Sequence, residues 1–224
     1  MTKVVPISAG VGTCFLVIQN DIFFLVDTGN KGYENKIAKA ITSRGLKLTD
    51  LRFVFLTHTH YDHAGSASAI HSMTGAKIIV HKSETDFLQT GFHPMPKGTS
   101  GFYKVIATLG LIGEKKRTSF EGLLPDIVFD KDYSLSDFGF EAKILHTPGH
   151  TMGSSCLIIG KYAFVGDTLF NVFGNYYPPF GNEVDKFANS WEILRKMDVE
   201  YYYPTHGKRI SKKEFEAFVS KRSK

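Results

Sequence analysis

The chain has 224 residues, of which 42% are hydrophobic, a formal net charge of +5 and two cysteines. That is long and apolar enough for one sizeable core, and no apolar run reaches the roughly 20 residues that span a bilayer. Two cysteines exclude a disulfide framework, and the basic pI, about 9.0, does not by itself make nucleic acid the favoured partner, since charge alone carries little sequence information.

Lys3 to Ser8 reads as a short strand, followed by a turn at Gly10-Val11-Gly12. Residues 13–19 and 21–26 read as two strands joined by a tight hairpin at Asn20-Asp21. The second ends at Asp27-Thr28-Gly29. Residues 33–44 carry Ile37, Ala40 and Ile41 on one helical face, with Gly45 as the stop. The apolar run from Arg52 to Thr57 predicts a buried strand, and the small residues from Ala64 to Met73 a short helix. Ala76 to Val80 is a strand, and Ser83 is expected to cap a helix after it.

Residues 90–125 break this alternation. Glycines and prolines are interleaved there with Phe92, Phe102, Tyr103, Leu109, Leu111 and Ile112. A long insertion with apolar side chains is read as a lid or pocket wall with a short helix over 101–112, or as packing against the core or a second subunit. Strands follow at 127–129, 133–135, 140–145, 155–159 and 162–165. A helix is expected over 184–197 with Phe187, Trp191 and Leu194 on one face, then a strand at 201–203 and a terminal helix over 211–221. Cys14 and Cys156 lie inside apolar runs and read as small buried hydrophobes.

Between the strand ending at Thr57 and the next helix stands His58-Thr59-His60-Tyr61-Asp62-His63. His-x-His places two nitrogen donors on one side of an extended segment, so both can face one metal. Asp62 and His63 follow a turn and can face a second. Three later turn-prone segments each add one ligand type after an apolar run: Thr147-Pro148-Gly149-His150, Gly166-Asp167-Thr168 and Pro204-Thr205-His206-Gly207. Imidazoles and carboxylates without cysteine suit zinc, iron or manganese.

In the T-H-x-H-x-D-H stretch, and in the order and spacing of the segments from Asp27 to Gly207, the chain resembles the metallo-β-lactamase-fold hydrolase superfamily. The resemblance implies an α/β fold, an αββα sandwich of two mixed sheets with outer helices, as a single domain over 1–224. It implies two divalent ions, most simply zinc, with iron or manganese as alternatives. His58, His60 and His150 would hold one ion and Asp62, His63 and His206 the other. Asp167 would bridge them, and Asp27 would orient the ligand loop by hydrogen bonds. Asp62 would also help orient the attacking water. The implied reaction is attack of a metal-bridging hydroxide on a small ester, thioester or lactone. Asp rather than Cys at 167 looks like the glyoxalase II, lactonase and ribonuclease Z branches.

Three further expectations concern neighbouring residues. His93, in the insertion, is a candidate substrate contact. Tyr176 and Tyr177, in the aromatic loop after Asp167, are candidates to enclose substrate or donate to an oxyanion, with self-packing of the loop as the other reading. His71 and His81 read as structural, and His146 as core or support. Alternatives to the hydrolase are a phosphodiesterase or ribonuclease of the same fold, a mononuclear iron oxygenase resembling persulfide dioxygenases, and a non-catalytic metal-binding module. The partner expected is a small molecule, with no membrane partner and a homodimer compatible. The N-terminus, Met1-Thr2-Lys3-Val4-Val5-Pro6, has no signal-peptide pattern, which points to the cytoplasm.

Overall fold

A computed structural model describes residues 1–110 and 113–222. Leu111 and Ile112 of the insertion, and the last two residues of the basic C-terminal run, lie outside the described residues. The chain divides into two compact units. The first comprises Met1–Pro94 and Lys115–Asp130, the second Met95–Glu114 and Lys131–Lys224.

The first unit is built on a six-stranded mixed sheet with strands in sequence order. β1 (Thr2–Ala9), β2 (Gly12–Gln19) and β3 (Ile22–Val26) run antiparallel. β4 (Leu51–Phe55), β5 (Lys77–His81) and β6 (Ile127–Phe129) continue in parallel. In β1 exposed and buried positions alternate, with Val5, Ile7 and Ala9 inward, as expected of an edge strand with one solvated face. The β2–β3 hairpin turns at Asn20 and Asp21, both at positive φ (49° and 67°), the signature of the turn that matches strand twist. Helix α1 (Glu34–Thr42) buries Ile37 and Ile41, one turn apart, and packs them with Leu25, Val54 and Ile70 in one apolar cluster.

Two boundaries differ from the sequence expectation. β4 stops at Phe55, because the Thr57 N–H is taken by the Asp27 carboxylate instead of a neighbouring strand. The segment expected as one helix over 64–74 is two: α2 (Tyr61–Ala64) and α3 (Ala67–Thr74). Asp62 and His63 therefore sit on a helical turn. Ser83 is not an N-cap. It lies inside a 3-10 turn (Lys82–Glu84) capped by the His81 side chain, which accepts from the Ser83 N–H. α4 (Thr85–Thr90) follows directly.

The second unit has its own six-stranded mixed sheet. β7 (Tyr133–Ser134), β8 (Ala142–His146), β9 (Ser155–Ile159) and β10 (Tyr162–Gly166) are antiparallel neighbours. β11 (Tyr201–Pro204) joins β10 in parallel, and β12 (Ile210–Ser211), not anticipated from sequence, closes the edge. The insertion contributes α5 (Gly101–Gly110) to this unit, whereas α6 (Glu114–Thr118) belongs from Lys115 onward to the first. α7 (Phe187–Arg195) and α8 (Lys212–Ser220) bury Trp191, Leu194, Phe215 and Phe218 in the second core. α8 starts with a capping box. Ser211 accepts from the Glu214 N–H, and the Glu214 carboxylate accepts from the Ser211 N–H, satisfying two otherwise orphaned donors. Cys14 and Cys156 are buried and form no disulfide.

No helix among the described residues is long and apolar enough to cross a membrane.

Candidate metal centre

In the first unit the cluster is held from behind by Asp27, at the end of β3. Its backbone sits at φ 58°, a left-handed conformation that costs a non-glycine residue about 1–3 kcal/mol and persists where the surroundings enforce it. Here the enforcement is visible. The Asp27 N–H donates to Phe55 O at 2.9 Å. Its carboxylate accepts from the Thr57 N–H at 2.8 Å and from the Thr57 hydroxyl. Oδ2 lies 2.8 Å from His63 Nδ1. The next two residues grip the same segment: Thr28 N–H donates to His63 O and Gly29 O accepts from Gly65 N–H. Gly29 has no room for a side chain, since a Cβ would lie 2.1 Å from that of Ala9.

A second anchor was not legible in the sequence. Glu84, 1% exposed, reaches across to Thr59, between the two histidines of His-x-His. Its Oε2 accepts from the Thr59 N–H at 2.9 Å and the Thr59 hydroxyl at 2.6 Å, and stands 3.2 Å from His93 Nδ1. A buried carboxylate is retained only when it is this fully engaged. The two threonines are thus each tied to a buried acid, and His58 and His60 are presented from a strapped backbone. The sole sequence signal was the alternation Thr57-His58-Thr59-His60, and the Thr57 hydroxyl also lies 3.3 Å from both His58 Nδ1 and His63 Nδ1.

These restraints crowd the rings. His58 lies 3.8 Å from His63 and 4.7 Å from His60, centroid to centroid. All three are buried, as is Asp62. Their supporting contacts set their tautomers. A carboxylate or carbonyl only accepts, so His63 donates from Nδ1 to Asp27 and His60 from Nε2 to Pro94 O at 3.2 Å. In the neutral ring the lone pair then sits on the other nitrogen, the arrangement by which outer partners orient metal-binding imidazoles.

In the second unit α7 secures two candidate ligand loops at once. The Ser190 hydroxyl donates to Pro148 O at 2.7 Å and the Trp191 indole N–H to Thr168 O at 2.8 Å. Gly149 lets the first loop press onto α7, since a Cβ there would meet the Phe187 ring at 2.5 Å. His150 donates from Nδ1 to Phe180 O at 3.0 Å. Its Nε2 faces Asp167 Oδ2 at 3.4 Å, and His206 Nε2 faces Asp167 Oδ1 at 3.5 Å. The third loop is closed by the Asn171 N–H donating to His206 O, and the His206 ring stacks on Phe170.

The Asp167–His150 pair tests whether these residues suit a cation. With Nδ1–H given to Phe180 O, a neutral His150 points a lone pair at a carboxylate oxygen. Two acceptors at that separation repel unless a proton or a metal ion lies with them. Asp167, 5% exposed, makes this approach to two imidazoles, one per oxygen. The donor types across the candidates, histidine and aspartate without cysteine, are compatible with a metal site.

The remaining expectations are placed differently. His93 is not exposed: it is 4% accessible, its ring stacks on Phe87 at 3.8 Å, and its Nδ1 faces Thr59 Oγ1 at 2.9 Å. These contacts make it part of the support for Thr59. Tyr176 donates its hydroxyl to Glu214 at 3.2 Å and packs on Phe218, while Tyr177 packs on Phe187 and Trp191. Both face their own unit's helices, the self-packing alternative. Burial, with the Glu214 charge second, pushes the Tyr176 hydroxyl up, away from proton donation near neutrality. His71 and His146 bond to backbone carbonyls, Ala76 O and Met152 O.

The metallo-beta-lactamase superfamily profile matches residues 7–206, so the chain belongs to that superfamily, as an enzyme of its metal-dependent hydrolase class. It is 27% identical over 188 residues to a probable metallo-hydrolase of Methanocaldococcus jannaschii, covering 82% of each chain. To the hydroxyacylglutathione hydrolase GloC of Haemophilus influenzae it is 28% identical over 172 residues, 75% of this chain and 71% of the relative. To a probable polyketide biosynthesis zinc-dependent hydrolase of Bacillus subtilis it is 25% identical, over 76% of this chain and 63% of the relative. Among solved structures, the B3 metallo-beta-lactamase BLEG-1 aligns with a TM-score of 0.74 at 19% identity, over 98% of this chain and 100% of that one. At that identity the likeness is one of fold: two mixed sheets with flanking helices.

Proposed function

We propose that the chain is a dinuclear metal-dependent hydrolase of small thioesters, esters or lactones, working as a single domain, with thioesters the leading class. The observation that carries this is Asp167, whose two carboxylate oxygens each address a different imidazole, His150 and His206. A carboxylate so divided suits a bridge between two ions. In this reading His58, His60 and His150 hold one ion, Asp62, His63 and His206 the other, and Asp167 both. Relatives named as a hydroxyacylglutathione hydrolase and a zinc-dependent hydrolase support the thioester class and zinc. Bound, two divalent ions would supply Lewis acidity and bring the pKa of a water toward about 7. The chain's own part is to present neutral imidazoles in defined tautomers. Asp62, at the start of α2, would accept the water's hydrogen bond and orient its lone pair toward the acyl carbon. Water oxygen bonds to that carbon, the C–S or C–O bond breaks, and the leaving sulfur or oxygen departs to end protonated.

The test is metal content by elemental analysis of protein purified without added metal, followed by a thioester, ester, lactone and phosphodiester screen. About two zinc ions per chain with thioester cleavage is the expected result, and His58→Ala and Asp167→Ala should each remove metal and turnover together. One iron per chain without hydrolysis, or turnover that survives both substitutions, would overturn the reading.

A further inference from the structure

The insertion forms a cavity that the hydrolase reading does not use. It measures about 320 Å³ and is lined by Met95, Pro96, Lys97, Gly98, Lys104, Ala107 and Thr108. Its lining is mostly apolar and includes two exposed lysines. Among the described residues neither Lys97 nor Lys104 has a carboxylate partner. Glu114, the acid that closes this segment, is turned to the Met95 N–H. The wall is fixed. A Cβ on Gly98 would lie 2.2 Å from Lys104 N, so Gly98 lets the chain press onto the first turn of α5.

The wall is also tied to a proposed metal ligand by main-chain bonds within the second unit. Gly98 pairs with Phe180 and the Gly181 N–H donates to Lys97 O at 2.9 Å. The Asn182 side chain accepts from the Lys97 N–H, and the Asn182 N–H donates to His150 O at 3.0 Å. Phe180 O holds His150 Nδ1. Lys97 is therefore two hydrogen-bonded steps from His150.

From this juxtaposition of two unneutralised lysines, a mostly apolar lining and a rigid link to His150, we infer that the cavity receives an anionic end of the substrate. The fitting class is an acyl thioester or ester whose acyl chain ends in a carboxylate. The methylenes would lie along Met95, Pro96 and Ala107, and the carboxylate would be held by Lys97 and Lys104. The inference rests on the hydrolase reading and is tested so that the two fail separately.

The kinetic probes are two N-acetylcysteamine thioesters, hexanoyl (neutral) and adipoyl (terminal carboxylate), assayed with the metal-loaded enzyme. The wild type should favour the adipoyl compound through a lower KM. Lys97→Ala/Lys104→Ala should raise that KM about fivefold, leaving kcat and the hexanoyl kinetics in place, as expected for two partly exposed charge pairs. The adipoyl preference should fade with added salt. Equal changes for both compounds, or none for either, would overturn the anion site. Should the wild type cleave neither compound, the hydrolase reading for this class fails. The site is then judged by calorimetry with adipate, where salt-sensitive binding lost in the double variant supports it and no binding to the wild type overturns it.

Discussion

Glu84 and Asp27 do the same work at two points of one loop. Each is a buried carboxylate that accepts from the backbone N–H and the hydroxyl of a threonine beside a candidate ligand histidine. Glu84→Ala would strand the Thr59 N–H in a dry interior, at about 1–3 kcal/mol, and leave the Thr59 hydroxyl its contact with His93 Nδ1. Urea unfolding should show that loss, and Glu84→Gln, which keeps an acceptor oxygen, should recover most of it. Equal stability of the alanine variant and wild type would mean Glu84 is not an anchor. Asp27→Asn addresses the metal instead. It weakens the Asp27–His63 contact while keeping its shape, and is expected to lower metal affinity about 10–100-fold, read by competition with a chromogenic chelator. Unchanged affinity would remove Asp27 from the ligand support.

Among the elements, α8 has a stability that should follow pH. The Ser211 hydroxyl, then the Ser211 N–H, hold the Glu214 carboxyl below its usual range against a small opposing effect of burial. A depressed carboxyl contributes stability that is present above its unfolded value, about 4.3, and lost as pH falls through the folded one. Ser211→Ala should cost about 1 kcal/mol at neutral pH and raise the Glu214 midpoint, measurable by NMR titration of its side chain. A midpoint that stays put would show that the capping box does not hold this charge. Asp126 behaves alike. Burial pushes its carboxyl up, but the Ile78 N–H and the Lys77 ammonium outweigh that and hold it low. The insertion is an element of a different kind. α5 buries none of its residues, so its helix rests on local propensity, on the close approach of Gly98 to its first turn, on Tyr103 against the Phe180 ring, and on the Thr99 hydroxyl bonding Pro178 O and Pro179 O.

For the whole molecule, metal binding and folding should be linked. A group that binds only the folded state stabilises it by RT ln(1 + [L]/Kd), about 4 kcal/mol at a thousandfold excess over Kd. Chelation is therefore expected to lower Tm by several degrees and zinc to restore it. A Tm indifferent to chelator in metal-replete protein would argue that the clustered imidazoles do not share an ion.

Much of this was readable from the chain alone, for a physical reason. Alternating and helical periodicities reflect burial of one face, so the strands of both sheets except β12, with α1, α7 and α8, were legible within a few residues. The ligand types in His58–His63 stood out because four such groups in six residues have no packing explanation. What the sequence could not say was decided by contacts distant along the chain. Glu84 meets Thr59 from 25 residues away, and Ser190 meets Pro148 from 42. Neither partner carries a local pattern. β4 ended early and the next helix split because Asp27, Thr28 and Gly29 captured backbone groups of residues 57–65. His93, Tyr176 and Tyr177 had reactive side chains in suggestive places, and tertiary structure turned each toward a nearby partner. Local patterns determined which residues could do chemistry here. Long-range hydrogen bonds, invisible to any pattern because their partners are brought together only by folding, decided how each of them is held and what it faces.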